Sequence, residues 1–104
     1  MSTRYLKRFF KPRSIAVIGA TEAPGDMGGV VLNNLLDGGY DRPIMSVGPG
    51  GDTLFGIANV ASIDLLSEVP DLAVVCGLAD DIPATIKALG EHRVKAALVL
   101  SGDL

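Results

Sequence analysis

Short apolar runs alternate along this chain with segments of helical periodicity, and this alternation limits the possible folds more than any other feature. The runs at residues 14–18, 44–47, 71–76 and 96–100 have strand length and lack the polar alternation of half-exposed strands. Continuous apolar strands are typical of parallel sheets that are covered on both faces. We therefore interpret these four runs as the main strands of a parallel sheet.

The intervening segments carry helix signals. Residues 28–37 place their apolar side chains on one helical face, and Gly38-Gly39 supply a left-handed stop. In the second helix we expect Asp80 or Asp81 to cap the start and Pro83 to lie in the first turn. Its predicted apolar face consists of Ile82, Ile86 and Leu89.

Residues 52–70 are less regular. The sequence predicts a short strand within residues 54–60 and about one helical turn at residues 63–66. The alternation as a whole predicts an α/β, Rossmann-like, doubly wound parallel sheet with right-handed crossovers. Such folds usually continue to a fifth or sixth strand, so we expect residues 1–104 to be one domain, truncated after its fourth main strand, from the amino-terminal part of a longer protein.

Composition and charge exclude several functions. Apolar residues make up 48% of the chain and its mean hydropathy is +0.39, which argues against disorder, while no apolar run reaches membrane-spanning length. Beyond residue 14, four basic residues face twelve acidic ones, which disfavours nucleic acid as a partner. The single cysteine, Cys76, suits a reducing cytoplasm.

The first thirteen residues include five basic residues and no acidic one. We interpret residues 1–13 as a lead-in helix that packs Leu6, Phe9 and Phe10 on the domain, with a local positive field near a bound phosphate as the alternative.

Glycine follows each predicted main strand, and the carboxyl ends of parallel strands are where ligands bind in such sheets. The loop after the first strand, residues 19–29 (the Gly-rich loop), contains four glycines ahead of a helix start, where free N–H groups attract an anion. Its spacing matches neither the dinucleotide G-x-G-x-x-G motif nor a Walker A loop. The second strand ends at Val47-Gly48-Pro49 with no acidic residue for a ribose diol, which disfavours NAD.

At these residues the chain resembles the CoA-binding domain of NDP-forming acyl-CoA synthetases. More closely, it resembles the synthetase-like amino-terminal region of Pat-type protein lysine acetyltransferases, in which that region is fused to a GNAT domain. The resemblance covers about residues 6–101, and the matching segments are residues 10–21, Pro24-Gly25, Gly28, and residues 34–40, 70–76 and 94–101.

The resemblance implies a domain that binds coenzyme A or acyl-CoA, with ATP and ADP confined to the parent protein. The Gly-rich loop would hold the pyrophosphate, the turn after the second strand would border the adenosine, and the loop after the third would border the pantetheine. The implied site residues are Gly19, Ala20, Thr21, Pro24, Gly25, Met27, Gly28, Val47, Gly48, Pro49, Gly77, Leu78 and Ala79.

The chain departs from the family pattern in two places, and the first departure weakens the expected affinity for CoA. Gly48 and Gly51 stand where the family usually has a polar residue and a lysine near the ribose 3′-phosphate, and Lys11 or Arg13 would have to compensate. The third-strand loop, usually Val-Pro-Ala, keeps only the alanine in Gly77-Leu78-Ala79.

No catalytic pair, metal cluster or carboxylate dyad is evident in the sequence. We predict that His92 is a solvated surface residue and Cys76 a buried small hydrophobe, and that the Thr21 hydroxyl either caps a turn or donates to a phosphate.

The sequence therefore predicts a cytoplasmic CoA-binding domain that is not catalytic alone and whose partners are a CoA thioester and the parent's downstream domains. The parent would be an ADP-forming acyl-CoA synthetase or a Pat-type acetyltransferase. The alternatives are an NAD(P)-binding Rossmann domain and a ligand-free interaction module that forms a homo-oligomer through an open strand edge.

Overall fold

A computed structural model describes residues 12–77 and 79–101. Within them, six strands form one sheet in the order β3-β4-β2-β1-β5-β6. The strands are β1 (Ile15–Ile18), β2 (Ile44–Val47), β3 (Thr53–Leu54), β4 (Ile57–Val60), β5 (Leu72–Gly77) and β6 (Ala97–Ser101). All neighbouring strands are parallel except β3 and β4, which form an antiparallel hairpin. The predicted α/β Rossmann-like fold is confirmed.

The central strand explains why the prediction from apolar runs succeeded. β1 lies between β2 and β5, and all its residues are buried. Such a strand has no solvent-facing side, so its sequence has no reason to alternate.

In the described part of the chain, two α-helices cover the sheet, one on each face. Helix α1 (Met27–Asp37) has Asp26 as its N-cap and Gly38 as its C-cap. The next residue, Gly39, adopts the predicted left-handed conformation with φ +80°. On its face lies one core cluster, which includes Val17, Leu32 and Val74.

Helix α2 (Ile82–Glu91) follows a 3-10 turn, Ala79–Asp81, and has Pro83 in its first turn as predicted. Two details differ from the prediction. Asp81 precedes the helix, but its side chain makes no capping hydrogen bond, because its backbone is already helical. Ile86 is 40% exposed, since Leu89 and the half-buried Ile82 supply the contacts to the second core cluster instead.

The irregular segment contains a hairpin where a single strand was predicted. β3 and β4 are joined by Phe55 and Gly56, which both have positive φ, +48° and +79°. The Phe55 N–H donates to Glu22 Oε2 at 2.9 Å, so the hairpin turn is tied to the Gly-rich loop. The expected helical turn is confirmed as a 3-10 turn, Ile63–Leu65.

The last strand, β6, pairs only with β5 and forms one edge of the described sheet. Leu98 and Val99 on this strand are 39% and 42% exposed, so both faces of β6 are incompletely covered. The predicted lead-in segment and its apolar side chains fall outside the described residues, apart from Pro12 and Arg13.

Candidate functional site

The site begins where the central strands end. Register places Ile18 beside Val47 of β2 and Val75 of β5, so the residues that follow these strands meet at one edge. The Gly19 N–H donates to the Val47 carbonyl oxygen at 2.9 Å. Three of the predicted glycines, Gly19, Gly48 and Gly77, thereby lie together at the carboxyl edge.

Two glycines of the Gly-rich loop, Gly28 and Gly29, allow the start of helix α1 to pack closely on the preceding residues of the loop. A Cβ on Gly28 would lie 2.6 Å from the Cα of Ala20, and one on Gly29 would lie 2.5 Å from the Thr21 carbonyl oxygen. Ala20, predicted as a ligand contact, is only 1% exposed beneath the helix. Ala20 and Gly28 shape the site from below and do not line its cleft.

A carboxylate occupies part of the predicted phosphate cup. Asp26 Oδ2 accepts from the N–H groups of Thr21 and Gly29, each at 2.9 Å. Two of the amides expected to meet a pyrophosphate are therefore already bonded to the protein. Within the described residues, no hydrogen bond engages the N–H groups of Met27 and Gly28 in the first turn of α1.

Thr21 takes the turn-capping role that the sequence left open. Its Oγ1 accepts from the Ala23 N–H at 3.2 Å. The hydroxyl proton is not consumed by this bond, because the oxygen is the acceptor.

A cleft of about 1010 Å³ opens above this edge. Six predicted residues line it, namely Gly19, Thr21, Val47, Gly48, Pro49 and Gly77. Pro24, Gly25 and Met27 do not line it, Leu78 lies outside the described residues, and nothing is described of the Ala79 side chain.

The other wall of the cleft was not predicted. It is formed by residues 61–64 after β4 and by one face of α2, with Asp81, Thr85 and Ala88. This wall depends on how α2 packs beside the 3-10 turn, which a local sequence pattern does not encode. One signal for this wall was present in the sequence: Ser62 and Asp64 are residue types that favour the start of a helical turn.

His92 lies at the far end of the cleft, half-buried at the carboxyl end of α2. The residue predicted to be solvated at the surface is therefore partly exposed, and it lies in the wall of the cleft. Across the cleft, the pKa of Asp64 is lowered, chiefly by the 2.6 Å hydrogen bond from the Ser62 hydroxyl, with a smaller contribution from His92.

Cys76 is buried beside the cleft, as predicted. Burial raises the pKa of its thiol, and the charge of Asp26 raises it further. A thiol held protonated in this way is a poor nucleophile.

Arg13 cannot replace the lysine that the family resemblance leads one to expect in the turn after β2, residues 48–51 (the β2 turn). It precedes β1, and its Nε lies 3.4 Å from Oδ2 of Asp71, which precedes β5. Both residues are at the amino edge of the sheet, opposite the cleft. Lys11 lies outside the described residues.

Comparison with known proteins identifies the family of this chain. Residues 13–104 match the family described as CoA binding domain. The chain thus belongs to the CoA-binding domain family, and the predicted cofactor, coenzyme A, is confirmed at the level of the family. Within the described residues, no helix combines the length and apolar character needed to cross a bilayer.

The curated relatives are much longer proteins. The alpha subunit of an ADP-forming acetate–CoA ligase I from Pyrococcus furiosus is 31% identical over 100 residues, which cover 92% of this chain and 22% of that protein. The ADP-forming acetate–CoA ligase of Methanocaldococcus jannaschii is 30% identical over 96 residues, covering 92% and 13%. Among solved structures, the apo form of dinucleotide-forming acetyl-coenzyme A synthetase 1 from Ca. Korarchaeum cryptofilum superposes with a TM-score of 0.89 at 30% identity, covering 95% of this chain and 22% of that one.

This chain therefore spans between about an eighth and a quarter of the length of these relatives. The matching region is similar to one part of a CoA ligase.

Proposed function

We propose that this domain binds coenzyme A or an acyl-CoA in the carboxyl-edge cleft and holds it for chemistry carried out by other domains of a larger cytoplasmic protein, which is either an ADP-forming acyl-CoA synthetase or a Pat-type acetyltransferase. The observation that carries the proposal is the coincidence of two facts. The chain belongs to a CoA-binding family, and its cleft lies where Gly19, Gly48 and Gly77 end three adjacent parallel strands.

The residues present fit most of the ligand. The Thr21 hydroxyl lines the cleft and can donate to the pyrophosphate. The free N–H groups of Met27 and Gly28 do not line the cleft, and the start of α1 supplies only the positive end of the helix dipole nearby. Val47 and Pro49 give the cleft an apolar wall for the adenosine, and Gly77 leaves room for the pantetheine arm. Coenzyme A supplies a thiol that forms the thioester, and the residues of this chain bind and orient it.

The fit is poorest at the ribose 3′-phosphate. Gly48 and Gly51 offer no cationic side chain, and Asp26 adds a negative charge near the Gly-rich loop. We therefore expect binding that is weaker than in relatives with a lysine in the β2 turn.

A titration with coenzyme A, acetyl-CoA, NADH and NADPH tests the proposal. We expect only the CoA forms to bind and to raise the melting temperature. Binding of the nicotinamide forms alone would establish the NAD(P) alternative instead.

A pair of prolines at the two ends of β2 gives a matched control. Pro49 is exposed and lines the cleft, whereas Pro43 is exposed at the amino edge. Pro49→Glu should weaken CoA binding roughly fivefold by repelling its phosphates. Pro43→Glu adds the same charge and should leave the affinity unchanged. Equal effects of both variants would contradict the placement of the ligand.

The exposed edge of β6 favours a second candidate, a homo-oligomeric interaction module without a ligand. Leu98 and Val99 offer apolar surface on a strand that has no partner on its outer edge within residues 12–77 and 79–101. A dimer by size-exclusion chromatography that is indifferent to every nucleotide would favour this function over CoA binding.

The parent protein is either a synthetase or a Pat-type acetyltransferase. The lost polar positions at Gly48 and Gly51 favour the second, in which this region would have a regulatory or structural role. Reading the coding sequence downstream of Leu104 would distinguish the two parents. An ATP-grasp region there would indicate a synthetase, and a GNAT region would indicate an acetyltransferase.

A further inference from the structure

One buried amide holds the turn that forms part of the cleft wall. Asn59 in β4 is only 7% exposed. Its Nδ2 donates to the carbonyl oxygens of Gly48 at 2.9 Å and Gly51 at 2.6 Å. Its Oδ1 accepts from the Ser46 hydroxyl at 2.8 Å, which fixes which end of the amide faces the turn. Both donors of the side chain are therefore used on a single turn, residues 48–51 (the β2 turn).

Besides Asn59, the β2 turn is held at its start by the Gly48 N–H, which donates to the Val60 carbonyl oxygen at 2.9 Å. It reads Gly48-Pro49-Gly50-Gly51, and glycine populates many backbone conformations, so such a turn is intrinsically mobile. Gly51 has φ +99°. The two hydrogen bonds from Asn59 tie the beginning and the end of the turn to the same point of the sheet. Because Gly48 and Pro49 line the cleft, these bonds also set the position of the cleft wall.

We propose that Asn59 is a positioning residue that preorganises the β2 turn for the nucleotide end of the ligand. This inference rests on the function proposed above. In open α/β sheets the nucleoside lies beyond the carboxyl end of the second strand, which here is the β2 turn. A turn that is fixed before binding avoids the entropy cost of being ordered by the ligand. Loss of Asn59 should therefore weaken binding of the adenosine-bearing half and spare the pantetheine half.

Asn59→Asp is the sharpest variant, because it is nearly isosteric. It keeps an acceptor for Ser46 but places an oxygen opposite the carbonyls of Gly48 and Gly51, so the turn loses both tethers. Ser46→Ala is milder, since it removes the bond that orients the amide and leaves both Nδ2 donors in place. Val74→Ala serves as a stability control, because Val74 is buried on β5 and belongs to the α1-side core.

The test measures the affinity of the whole chain for coenzyme A, for 3′,5′-ADP as the nucleotide half and for 4′-phosphopantetheine as the other half. Calorimetry measures the first, and NMR titration measures the weaker two, with melting temperatures recorded alongside. We expect Asn59→Asp to bind coenzyme A and 3′,5′-ADP about tenfold more weakly than the unsubstituted chain does. Its affinity for phosphopantetheine should stay within about twofold of that of the unsubstituted chain. Ser46→Ala should show the same selectivity with a smaller loss, and Val74→Ala should lower the melting temperature without selective loss.

An equal loss for both halves of the ligand, or no loss, would overturn the role of Asn59 while leaving CoA binding intact. If Asn59→Asp does not fold, the selectivity of Ser46→Ala decides by the same criterion. If the unsubstituted chain does not bind coenzyme A at any concentration, the proposed function itself is overturned, and this inference with it.

Discussion

Gly19 and Cys76 are in such close contact that a Cβ on Gly19 would overlap the carbonyl oxygen of Cys76. Gly19 also has φ +89°, a region that side chains of L-residues rarely adopt. The crossing of the Gly-rich loop over the end of β5 therefore requires glycine for two independent reasons.

These two reasons can be separated by comparing Gly19 with Gly25. Gly25 has a similar φ, +79°, but nothing lies within 4 Å of the position of a Cβ. Gly25→Ala should cost about 1 kcal/mol of unfolding free energy from backbone strain alone. Gly19→Ala should cost about 3 kcal/mol or more, because the backbone must also move. Urea unfolding of both variants measures the difference, and equal losses would contradict the close approach.

Asp26 should oppose the binding of anionic ligands. Asn is as good an N-cap as Asp, so Asp26→Asn keeps the geometry of the Gly-rich loop and removes its charge. We expect CoA to bind roughly fivefold more tightly to this variant at low salt, and the gain to shrink as salt is added. Calorimetric titrations at two ionic strengths measure both effects.

Asp26→Ala provides the control for the cap itself. It also removes the charge, but it loses the hydrogen bonds to Thr21 and Gly29 and should cost about 1 kcal/mol of stability. Weaker CoA binding by Asp26→Asn would show that the carboxylate supports the ligand rather than repelling it.

The elements that the sequence predicted well are those fixed by burial. β1, β2 and β5 are central strands, and their largely apolar runs, interrupted only by Ser46 in β2, leave no other place for them in a small domain. The β3–β4 hairpin was missed because its first strand has two residues and its turn begins with Phe55 at positive φ, which no propensity favours.

The site was predictable only in part, for a related reason. The glycines that end parallel strands converge in any such sheet, so Gly19, Gly48 and Gly77 could be placed without coordinates. The second wall of the cleft, formed by α2 and the residues after β4, depends on packing between segments that are distant in the sequence. Asp26 could have been found, since an aspartate three residues before Gly29 at a helix start is a typical cap.

The ion pair between Arg13 and Asp71 should contribute little to stability and nothing to ligand binding. The Arg13 side chain is 74% exposed, and exposed pairs of this kind are screened by solvent. Its backbone N–H also donates to Asp71 Oδ2 at 2.9 Å, and this bond survives truncation of the side chain. Arg13→Ala should therefore change the unfolding free energy by less than about 1 kcal/mol and leave CoA affinity unchanged.

Asp71→Ala is the variant to compare with Arg13→Ala, because it removes the carboxylate that accepts from both the backbone N–H and the side-chain Nε of Arg13. We expect it to destabilise the chain more than Arg13→Ala does, by chemical denaturation. Reduced CoA affinity in Arg13→Ala would mean that the amino edge of the sheet influences the cleft, against the geometry described above.

The Cys76 thiol makes stability depend on pH in the alkaline range. Burial raises its pKa above the ordinary value of 9.0, so the folded chain holds the proton more tightly than the unfolded chain does. The resulting stabilisation is fully present below pH 9.0 and is lost as the pH rises through the higher pKa of the folded state. Urea unfolding between neutral pH and pH 10 should therefore show a decline that is shallower in Cys76→Ala. The raised pKa of Tyr40 contributes equally to both chains, so their difference isolates the thiol. Identical pH profiles would mean that Cys76 titrates in the folded chain as it does in the unfolded one.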